Sequence, residues 1–377
     1  MTQTQNIATS PSMHRIALAF GALRRGEMVM IRTADNRAAV MRAAEFADYD
    51  TGQMQLVADS APLLCVRRPL LETMGRQLPS QRQVASTLAG PLGADLILRI
   101  TFGQETQLSP DISFMGEGAQ SLAQLATTIL RQAKLLPTAI IASLTSQDPH
   151  HHARLADMYG MPIINAFDSD HHDSKAHWQL FPTTKASLPL AAAPSSQIVM
   201  FRSEAGDENH FAIIVGKGDE MTSPLVRLHS SCITGDILGS LKCDCGPQLQ
   251  TALAKMDEAG GGILLYLAQE GRDIGLMNKI RAYALQDGGH DTVVANHKLG
   301  FATDERVFIP AAAMLQQLGV TSVTLMTNNP DKVTQLQQFG IEVTKRVPLA
   351  LPTNPHNEAY LKTKQEKTGH NFEEDDS

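Results

Sequence analysis

The sequence has few cysteines, no secretory leader pattern and no excess of positive charge, and each absence excludes a class of protein. Four cysteines in 377 residues are too few for the disulfide framework of a small secreted domain. Cysteines that lie close together in a reducing compartment are more often metal ligands or redox groups. The first twelve residues are polar, with no basic start followed by an apolar run, so we expect no secretory signal.

Hydropathy and charge argue against two further classes of protein, membrane-spanning proteins and sequence-independent nucleic-acid binders. The longest apolar run of the C-terminal half, residues 263–268, is far shorter than the roughly 20 residues that a membrane-spanning helix needs. The formal net charge of −7 argues against a sequence-independent nucleic-acid binder, which needs a basic surface. It still allows a small phosphorylated ligand, because a few local Arg and Lys residues suffice for that. We therefore expect a soluble, cytoplasmic enzyme with no nucleic-acid or membrane partner.

The chain is predicted to form two mixed α/β domains, which is the fold class that we expect. Residues 13–166 alternate apolar strand-like segments with longer helical patterns, and a similar alternation resumes at residue 197. The stretch between them, residues 167–196, is rich in polar residues, Pro and Ala, and is predicted to be a linker. The second domain is predicted to span residues 197–371, and residues 372–377 are predicted to form a disordered acidic tail.

Periodicity also predicts individual elements. In the first half, residues 94–100 are predicted as a strand and residues 120–136 as a helix, because apolar residues recur in the latter at three- and four-residue steps. In the second half, the predicted strands are residues 197–202, 210–215, 225–229, 262–267 and 322–326. The predicted helices there are residues 247–258, 278–286, 311–317 and one that begins at Asp331.

Three cysteines, Cys232, Cys243 and Cys245, lie within fourteen positions of one another. Thiolates are soft ligands suited to zinc, and three of them leave one tetrahedral position open, as a catalytic zinc requires. Spacing alone leaves two alternatives, a structural zinc with a fourth ligand, for which His229 is the nearest candidate, or buried thiols without a metal. Cys65 has apolar neighbours and is predicted to be an inert core thiol.

The segment from Arg227 to Gln248, which contains the three cysteines, resembles that of GTP cyclohydrolase II, the first enzyme of riboflavin biosynthesis. Further motifs of that family follow in its order: Gln269-Glu-Gly-Arg-Asp-Ile-Gly-Leu276, Lys279-Ile-Arg-Ala-Tyr-Ala-Leu-Gln-Asp287, Leu299-Gly-Phe-Ala-Thr-Asp-Glu-Arg306 and Thr327-Asn-Asn-Pro-Asp-Lys332. The resemblance implies that residues 197–371 form a GTP cyclohydrolase II domain. It also implies one catalytic Zn²⁺ per subunit, held by the three cysteines.

The resemblance implies zinc-dependent hydrolysis of GTP to 2,5-diamino-6-(5-phosphoribosylamino)pyrimidin-4(3H)-one, formate and pyrophosphate, with Mg²⁺ accompanying the triphosphate. It implies that Asp304 accepts a proton, that Tyr283 lies near the zinc and that Arg306 is the nucleophile. Electrostatic stabilisation of the phosphate is a competing role for Arg306, because a guanidinium stays protonated.

Substrate binding is implied for a longer set of residues. Glu270 is a candidate to accept the N1–H and N2–H donors of guanine. The other residues predicted to bind GTP are Arg227, Leu228, His229, Ser230, Ser231, Gln248, Gly271, Arg272, Thr292, Thr327 and Lys332.

Two local features bear on how the substrate fits. The segment 327–330 follows a predicted strand and opens a helix, so its free amides and Lys332 could receive an anion, with a simple capping turn as the alternative. Ser231 and Asp273 depart from the family's pattern, in which many members carry Glu and Gly at these positions.

The N-terminal half weakly resembles the start of 3,4-dihydroxy-2-butanone 4-phosphate synthase, through residues 22–30 and 43–46. That synthase carries a dense acidic metal-binding loop, where residues 31–40 of this chain contain one carboxylate, Asp35. We therefore predict that residues 13–166 are inactive as a synthase and serve as scaffold, dimerisation surface or regulator in a homodimer. The alternatives are a bifunctional enzyme and a nucleotide-binding protein with a structural zinc.

Overall fold

The structure, a computed structural model, describes residues 11–47, 52–173, 178–203, 209–349 and 351. The chain divides into two compact units, the first comprising residues 1–174 and 277–304 and the second comprising residues 175–276 and 305–377. The predicted acidic tail, residues 372–377, lies outside the described residues.

The described strands are β1 Val29–Arg32, β2 Ala38–Ala43, β3 Leu63–Arg67, β4 Val84–Leu88, β5 Met115–Gly116, β6 Ala139–Ser143, β7 Ile163–Asn165, β8 Leu180–Ser187, β9 Ser196–Ser203, β10 Asn209–Gly216, β11 Leu225–Ser230, β12 Gly261–Leu267, β13 Ser322–Met326 and β14 Glu342–Val347. The described helices are α1 Pro11–Arg24, α2 Gly52–Val57, α3 Arg68–Thr73, α4 Gly93–Thr101, α5 Leu122–Gln132, α6 Pro149–Tyr159, α7 Ala166–His172, α8 Cys245–Glu258, α9 Glu270–Asp273, α10 Leu276–Asp287, α11 Thr292–Lys298, α12 Ile309–Gln317 and α13 Pro330–Gln338. Among the residues that the structure describes, no helix is long and apolar enough to cross a membrane.

The first unit is built on a seven-stranded sheet with the strand order β5-β4-β3-β6-β2-β1-β7. Its neighbouring strands are antiparallel except for β1 and β7, which are parallel. All six residues of the central strand β2 are buried, and the one charged residue among them, Arg42, donates to the carbonyl of Gly26 at 2.8 Å. Helix α5 packs across the sheet through a buried face that includes Ala126, Ile129 and Leu130.

The prediction of a strand at residues 94–100 is wrong, because this segment belongs to α4. The short run of apolar residues along it suggested a strand. The residues that α4 buries are Ile97, Ile100 and Thr101, and their three- and four-residue spacing places them on one face of a helix.

The second unit contains a seven-stranded sheet with the order β14-β13-β11-β12-β10-β9-β8. The first four strands in this order are parallel, and the last three run antiparallel to their neighbours. Successive residues of β12 bury opposite faces: Ile263, Leu265 and Leu267 join one apolar core, and Leu264 joins the other. The prediction of two mixed α/β domains is therefore confirmed.

The two units do not correspond to the N-terminal and C-terminal halves of the chain, because each unit contains two separate segments. Residues 277–304 group with the first unit, although they lie inside the range 197–371 predicted for the second domain. The predicted linker, residues 167–196, contains most of α7 and all of β8. Local periodicity does not show which distant segment an element packs against. The sequence therefore did not indicate that residues 277–304 group with the first unit.

Candidate active site

The predicted site residues of the second unit gather where three neighbouring parallel strands end. Strand β11 lies between β12 and β13 and is parallel to both, so the carboxyl ends of these strands meet at one edge of the sheet. Cys232 follows β11, Glu270 follows β12 and Thr327 follows β13. This edge is where open parallel sheets bind their ligands. Motifs that are far apart in the sequence are thereby brought together.

The three cysteines form one cluster of sulfur atoms. The Sγ atoms of Cys232, Cys243 and Cys245 all lie within 4.8 Å of one another, and those of Cys232 and Cys243 are 3.6 Å apart. Cys232 and Cys243 are buried, and Cys245 is partly exposed. Cys245 is also the first residue of α8, whose amino-terminal dipole favours a negatively charged thiolate.

Glycine at position 235 allows the chain to approach the cysteines closely. A Cβ atom at Gly235 would lie 2.7 Å from Cys243 Sγ and 3.1 Å from Cys232 Sγ. A Cβ atom at Gly246 would lie 2.4 Å from the carbonyl oxygen of Gly235. Since these distances are shorter than side chains tolerate, the cluster requires both glycines for space rather than for an unusual φ.

The cluster fits a soft divalent cation. The thiols of Cys232 and Cys243, together with burial, raise the pKa of Cys245, so three ionised sulfurs would be unstable without a compensating charge. A bound cation provides that charge, since thiolate ligands are deprotonated when they bind a metal. Among the described residues, no other group of three or more His, Cys, Asp or Glu side chains lies close enough to share a metal. His229 does not belong to the cluster.

A buried carboxylate organises the loop between the first two cysteines. Asp236 Oδ2 accepts hydrogen bonds from the backbone N–H of Cys232 at 3.0 Å and from the hydroxyl of Tyr266 at 2.8 Å. His229 Nε2 lies 3.1 Å from both oxygens of the same carboxylate. Burial lowers the pKa of His229, and the neighbouring Asp236 opposes this shift. One ring nitrogen of His229, Nε2, is thus engaged with Asp236.

Arg227 lies beneath the site rather than on its surface. It is buried, and it donates to the carbonyl of Met326 at 2.9 Å and to Gln248 Oε1 at 2.5 Å. Gln248 in turn donates to Asp244, the residue between the second and third cysteines. Burial lowers the pKa of Arg227 to about 10. The predicted GTP-binding residues Arg227 and Gln248 therefore support the cysteine segment, and direct nucleotide contact stays a prediction.

Two further cations lie around one aromatic ring. The guanidinium carbon of Arg306 is 5.5 Å from the ring centre of Phe308, and Lys332 Nζ is 5.2 Å from it. Arg306 donates to the hydroxyl of Ser230 at 3.4 Å. Lys332 Nζ donates to the carbonyl of Leu228 at 2.8 Å. Both positive charges are thereby held beside the carboxyl end of β11, next to the first cysteine.

The segment after β13 forms a capped turn. The side chain of Asn329 accepts from the backbone N–H of Asp331 at 2.9 Å, and Pro330 is the first residue of α13. Thr327 Oγ1 accepts from the backbone N–H of Asn329 at 3.0 Å. The capping turn that was one of the two interpretations is therefore present, and binding of an anion by Thr327 stays a prediction.

The loop after β12 has an unusual backbone. Gly271, Arg272 and Asp273 are consecutive residues with positive φ, at 65°, 61° and 74°. Positive φ is uncommon outside glycine, although aspartate tolerates it better than most residues. Asp273, which replaces a common family glycine, thus occupies a position where glycine fits without strain. Such strain concentrates at functional sites.

Three of the predicted site residues belong to the first unit. Tyr283 lies on α10, where Lys279 Nζ is 5.8 Å from its ring centre. Thr292 is the first residue of α11. Asp304 is exposed and is the last residue of the first unit, directly before Glu305 of the second.

Comparison with known proteins identifies the family. A family model for GTP cyclohydrolase II matches residues 182–348. A GTP cyclohydrolase-2 from Azospirillum brasilense is 42% identical over 373 residues, which cover 96% of this chain and 94% of that protein. The chain belongs to the GTP cyclohydrolase II family. It is accordingly an enzyme, a hydrolase of riboflavin biosynthesis, and these predictions are confirmed.

A shorter protein and a solved structure also match this chain. A GTP cyclohydrolase-2 from Shigella boydii is 54% identical over 194 residues, which cover 51% of this chain and 97% of that protein. Among solved structures, a two-domain 3,4-dihydroxy-2-butanone 4-phosphate synthase from A. baumannii matches 90% of this chain and 100% of its own, with a TM-score of 0.36 and 16% identity. The family assignment rests on the sequence relatives.

Three residues of the site were missed by sequence reasoning. Asp236 and Asp244 lie inside the cysteine segment, and Tyr266 lies on β12. Carboxylates between metal-ligand candidates were a usable signal, because such ligands are commonly oriented by hydrogen-bonded neighbours. Tyr266 gave no such signal, since its hydroxyl reaches Asp236 only through the pairing of β11 with β12.

Proposed function

We propose that this protein is a zinc enzyme that hydrolyses GTP to 2,5-diamino-6-(5-phosphoribosylamino)pyrimidin-4(3H)-one, formate and pyrophosphate. The observation that carries the proposal is the cluster of three cysteine sulfurs within 4.8 Å of one another, in a chain of the GTP cyclohydrolase II family. Cys232, Cys243 and Cys245 would hold the zinc. When bound, the zinc supplies the Lewis acidity that makes water nucleophilic near neutral pH.

Ring opening takes place at C8 of the purine. Water adds to C8 and one C–N bond of that carbon breaks, which opens the ring and leaves a formamide. A second water attacks the formamide carbon, the other C–N bond breaks, and the carbon leaves as formate. Asp304 accepts the proton of the attacking water, and Tyr283 orients the reacting oxygen. Glu270 accepts hydrogen bonds from the N1–H and N2–H groups of guanine, and so aligns the ring before the reaction.

Pyrophosphate leaves by cleavage of the bond between the α-phosphorus and the bridging oxygen, and water supplies the replacing oxygen. Arg306 acts on the α-phosphate, either as electrostatic partner or as nucleophile, and Lys332 contributes a second positive charge. The cations around Phe308 support this placement, because fixed positive charge stabilises the charge that develops on a reacting phosphate. Mg²⁺ would accompany the bound triphosphate and offset its negative charge.

The His229–Asp236–Tyr266 network serves the cysteines. Asp236 holds the backbone N–H of Cys232 and is itself held by Tyr266 and His229. Outer-shell partners of this kind fix the orientation of the ligands. We assign these three residues to positioning of the metal site.

Three broader predictions complete the proposed function. The domain boundaries are residues 13–166, 167–196 and 197–371, the protein is a cytoplasmic homodimer, and the N-terminal range is inactive as a synthase. The β1–β2 turn supports the last point, because its single carboxylate, Asp35, is engaged by Arg37 at 2.8 Å and by Thr33 at 2.5 Å. One occupied carboxylate is a poor site for a divalent metal.

The test uses full-length protein with GTP, Zn²⁺ and Mg²⁺. Formate and pyrophosphate should appear in equal amounts, and added ribulose 5-phosphate should remain unconsumed. Tight GTP binding without formate would favour the nucleotide-binding alternative with a structural zinc. Consumption of ribulose 5-phosphate would favour the bifunctional alternative.

A further inference from the structure

The first unit contains a segment of the cyclohydrolase family sequence packed among N-terminal residues. Residues 277–304 group with residues 1–174, although they lie inside the stretch matched by the family model, residues 182–348. This segment carries Tyr283, Thr292 and Asp304, three of the residues proposed to act on GTP. The segment therefore packs against residues that lie outside the range matched by the family model.

A part-buried ion pair holds the first half of the segment. Arg281 on α10 donates to Glu45 Oε2 at 2.7 Å, and the Glu45 side chain is 5% exposed. The Arg281 guanidinium carbon also lies 5.1 Å from the ring centre of Phe102. Nearby, Asn278 donates to the carbonyl of Lys134 at 2.9 Å and is fully buried. Arg281 and Tyr283 are two residues apart on α10, so displacement of one moves the other.

A buried lysine holds the second half. Lys298 at the end of α11 donates to the carbonyl of Gly103 at 2.9 Å and is 3% exposed. The backbones touch here, because a Cβ atom at Gly103 would lie 2.6 Å from the carbonyl oxygen of Lys298. Two residues on, the carbonyl of Gly300 accepts from Arg67 at 3.1 Å. Five N-terminal positions thus contact residues 278–300, which end four residues before Asp304: Glu45, Arg67, Phe102, Gly103 and Lys134.

We propose that the N-terminal residues of the first unit, through Glu45, Gly103 and Arg67, are a positioning scaffold for residues 277–304, and that GTP hydrolysis depends on it. The inference rests on the proposed function and assigns the N-terminal range a specific task within it. Glu45 and Gly103 are positioning residues: they touch the segment and act through Tyr283, Thr292 and Asp304. When the partner of a buried charge is removed, that charge is left uncompensated. The segment then shifts until the charge contacts solvent or another partner.

The test compares two matched ion pairs in full-length protein. Glu45→Gln breaks the pair with Arg281, and Asp168→Asn breaks the pair with Arg15, which joins α7 to α1 at 2.6 Å with the Asp168 side chain fully buried. Both substitutions replace a buried carboxylate of the same unit, and only Glu45 contacts the segment. We expect both to lower the unfolding temperature. Glu45→Gln alone should lower kcat for formate release, by roughly 10–100-fold, with a smaller change in KM for GTP.

A second pair of variants keeps the inference testable if a variant of the first pair fails to fold. Gly103→Ala and Gly160→Ala both place a side chain at a positive φ, 67° and 63°, so both carry similar backbone strain. A Cβ atom at Gly160 meets nothing within 4 Å, whereas one at Gly103 meets the segment. We expect Gly103→Ala to lower kcat and to speed hydrogen exchange in α10 and α11. Gly160→Ala should do neither.

The outcomes separate the two proposals. If the wild-type protein releases formate and Glu45→Gln behaves like Asp168→Asn while Gly103→Ala behaves like Gly160→Ala, the scaffold inference is overturned and the proposed function stands. If the wild-type protein with bound zinc releases no formate, the proposed function fails and the inference fails with it.

Discussion

The carboxylate of Glu270 accepts a hydrogen bond from the backbone N–H of Ile233 at 2.7 Å. Ile233 directly follows Cys232, so this bond joins the loop after β12 to the turn that carries the first cysteine. The other carboxylate oxygen accepts from the backbone N–H of Gly271 at 3.1 Å. A residue proposed to recognise guanine is therefore part of the structure that fixes the metal site, and base recognition and ring opening are linked through it.

Replacement of Glu270 should change which purine nucleotide is used. Inosine triphosphate lacks the N2–H donors of GTP, so the wild-type protein should prefer GTP by roughly 10–100-fold in kcat/KM, as expected for a paired hydrogen-bond contact to a base. Glu270→Gln should lower kcat/KM for GTP and remove most of this preference. Glu258→Gln, on the exposed end of α8, is the control. An unchanged preference in Glu270→Gln would rule out base recognition by this side chain.

Gly235 should be needed for metal binding, and Gly239 in the same loop should not. A side chain at Gly235 meets two of the cysteine sulfurs, whereas one at Gly239 meets nothing within 4 Å and has only a positive φ of 64° to accommodate. Gly235→Ala should weaken zinc binding roughly 10–100-fold, as when a group that orients the ligands is lost. Gly239→Ala should cost about 1 kcal/mol of stability and leave zinc affinity intact. Competition with a chelator measures both, and equal affinities would contradict the close packing at Gly235.

Loss of Arg306 should slow the reaction strongly. Arg306→Ala should lower kcat by roughly 10²–10³-fold, because a fixed charge at a reacting phosphate is removed. Arg202→Ala, an exposed arginine of β9, should leave kcat unchanged. Quenched single turnovers with GTP labelled at the α-phosphate distinguish the two roles, since label retained on the protein identifies a nucleophile. Turnover of Arg306→Ala within about threefold of wild type would remove either role.

Much of the second unit could be predicted from the sequence. Strands β9 to β13 and helix α8 have a clear apolar pattern or clear boundaries in the sequence. The three cysteines lie in one short segment. Their convergence follows from local chain geometry, because Gly235 permits the close turn. The resembling family implied that Cys232, Glu270 and Thr327 serve one site. The pairing of β11 with β12 and β13, which brings them to one sheet edge, could not be predicted from the sequence.

The remaining features of the fold and the site could not be predicted, because they depend on contacts between residues that are far apart in the sequence. Nothing local to Arg281 indicates that its partner is Glu45, 236 positions away. The resemblance implied that Arg227 binds GTP, and its burial beneath the site became visible only with the sheet assembled. Residues 94–100 were predicted as a strand from a short apolar run, which does not show that α4 buries one face against the first unit's core.

The Arg15–Asp168 pair should make stability fall in acid. Burial alone would raise the pKa of Asp168, but hydrogen bonds from Arg15 and from the backbone of Asn165 lower it below its ordinary 3.8. A carboxylate with a lowered folded-state pKa stabilises the protein fully above the ordinary value, and that stabilisation is lost as the pH falls through the folded-state value. Because Arg15 is 36% exposed, solvent screens the pair, and we expect a contribution of about 2 kcal/mol.

The measurement is urea unfolding of wild type and Asp168→Asn from about pH 7 to about pH 3, followed by circular dichroism. The two free energies of unfolding should differ by a constant amount down to about pH 4 and should converge below it. A difference that stays constant to the lowest pH would show that the ionised carboxylate is not the source.

The most direct test of the account is zinc content measured together with formate release in Cys243→Ser and Cys65→Ala. Cys65 is a buried core thiol of the first unit, and burial raises its pKa, so it matches Cys243 in residue type and burial without belonging to the sulfur cluster. We predict one zinc per chain and full formate release in the wild type and in Cys65→Ala. Cys243→Ser should retain its fold and lose both the zinc and formate release. Formate release at the wild-type rate by folded Cys243→Ser without bound metal would contradict the account.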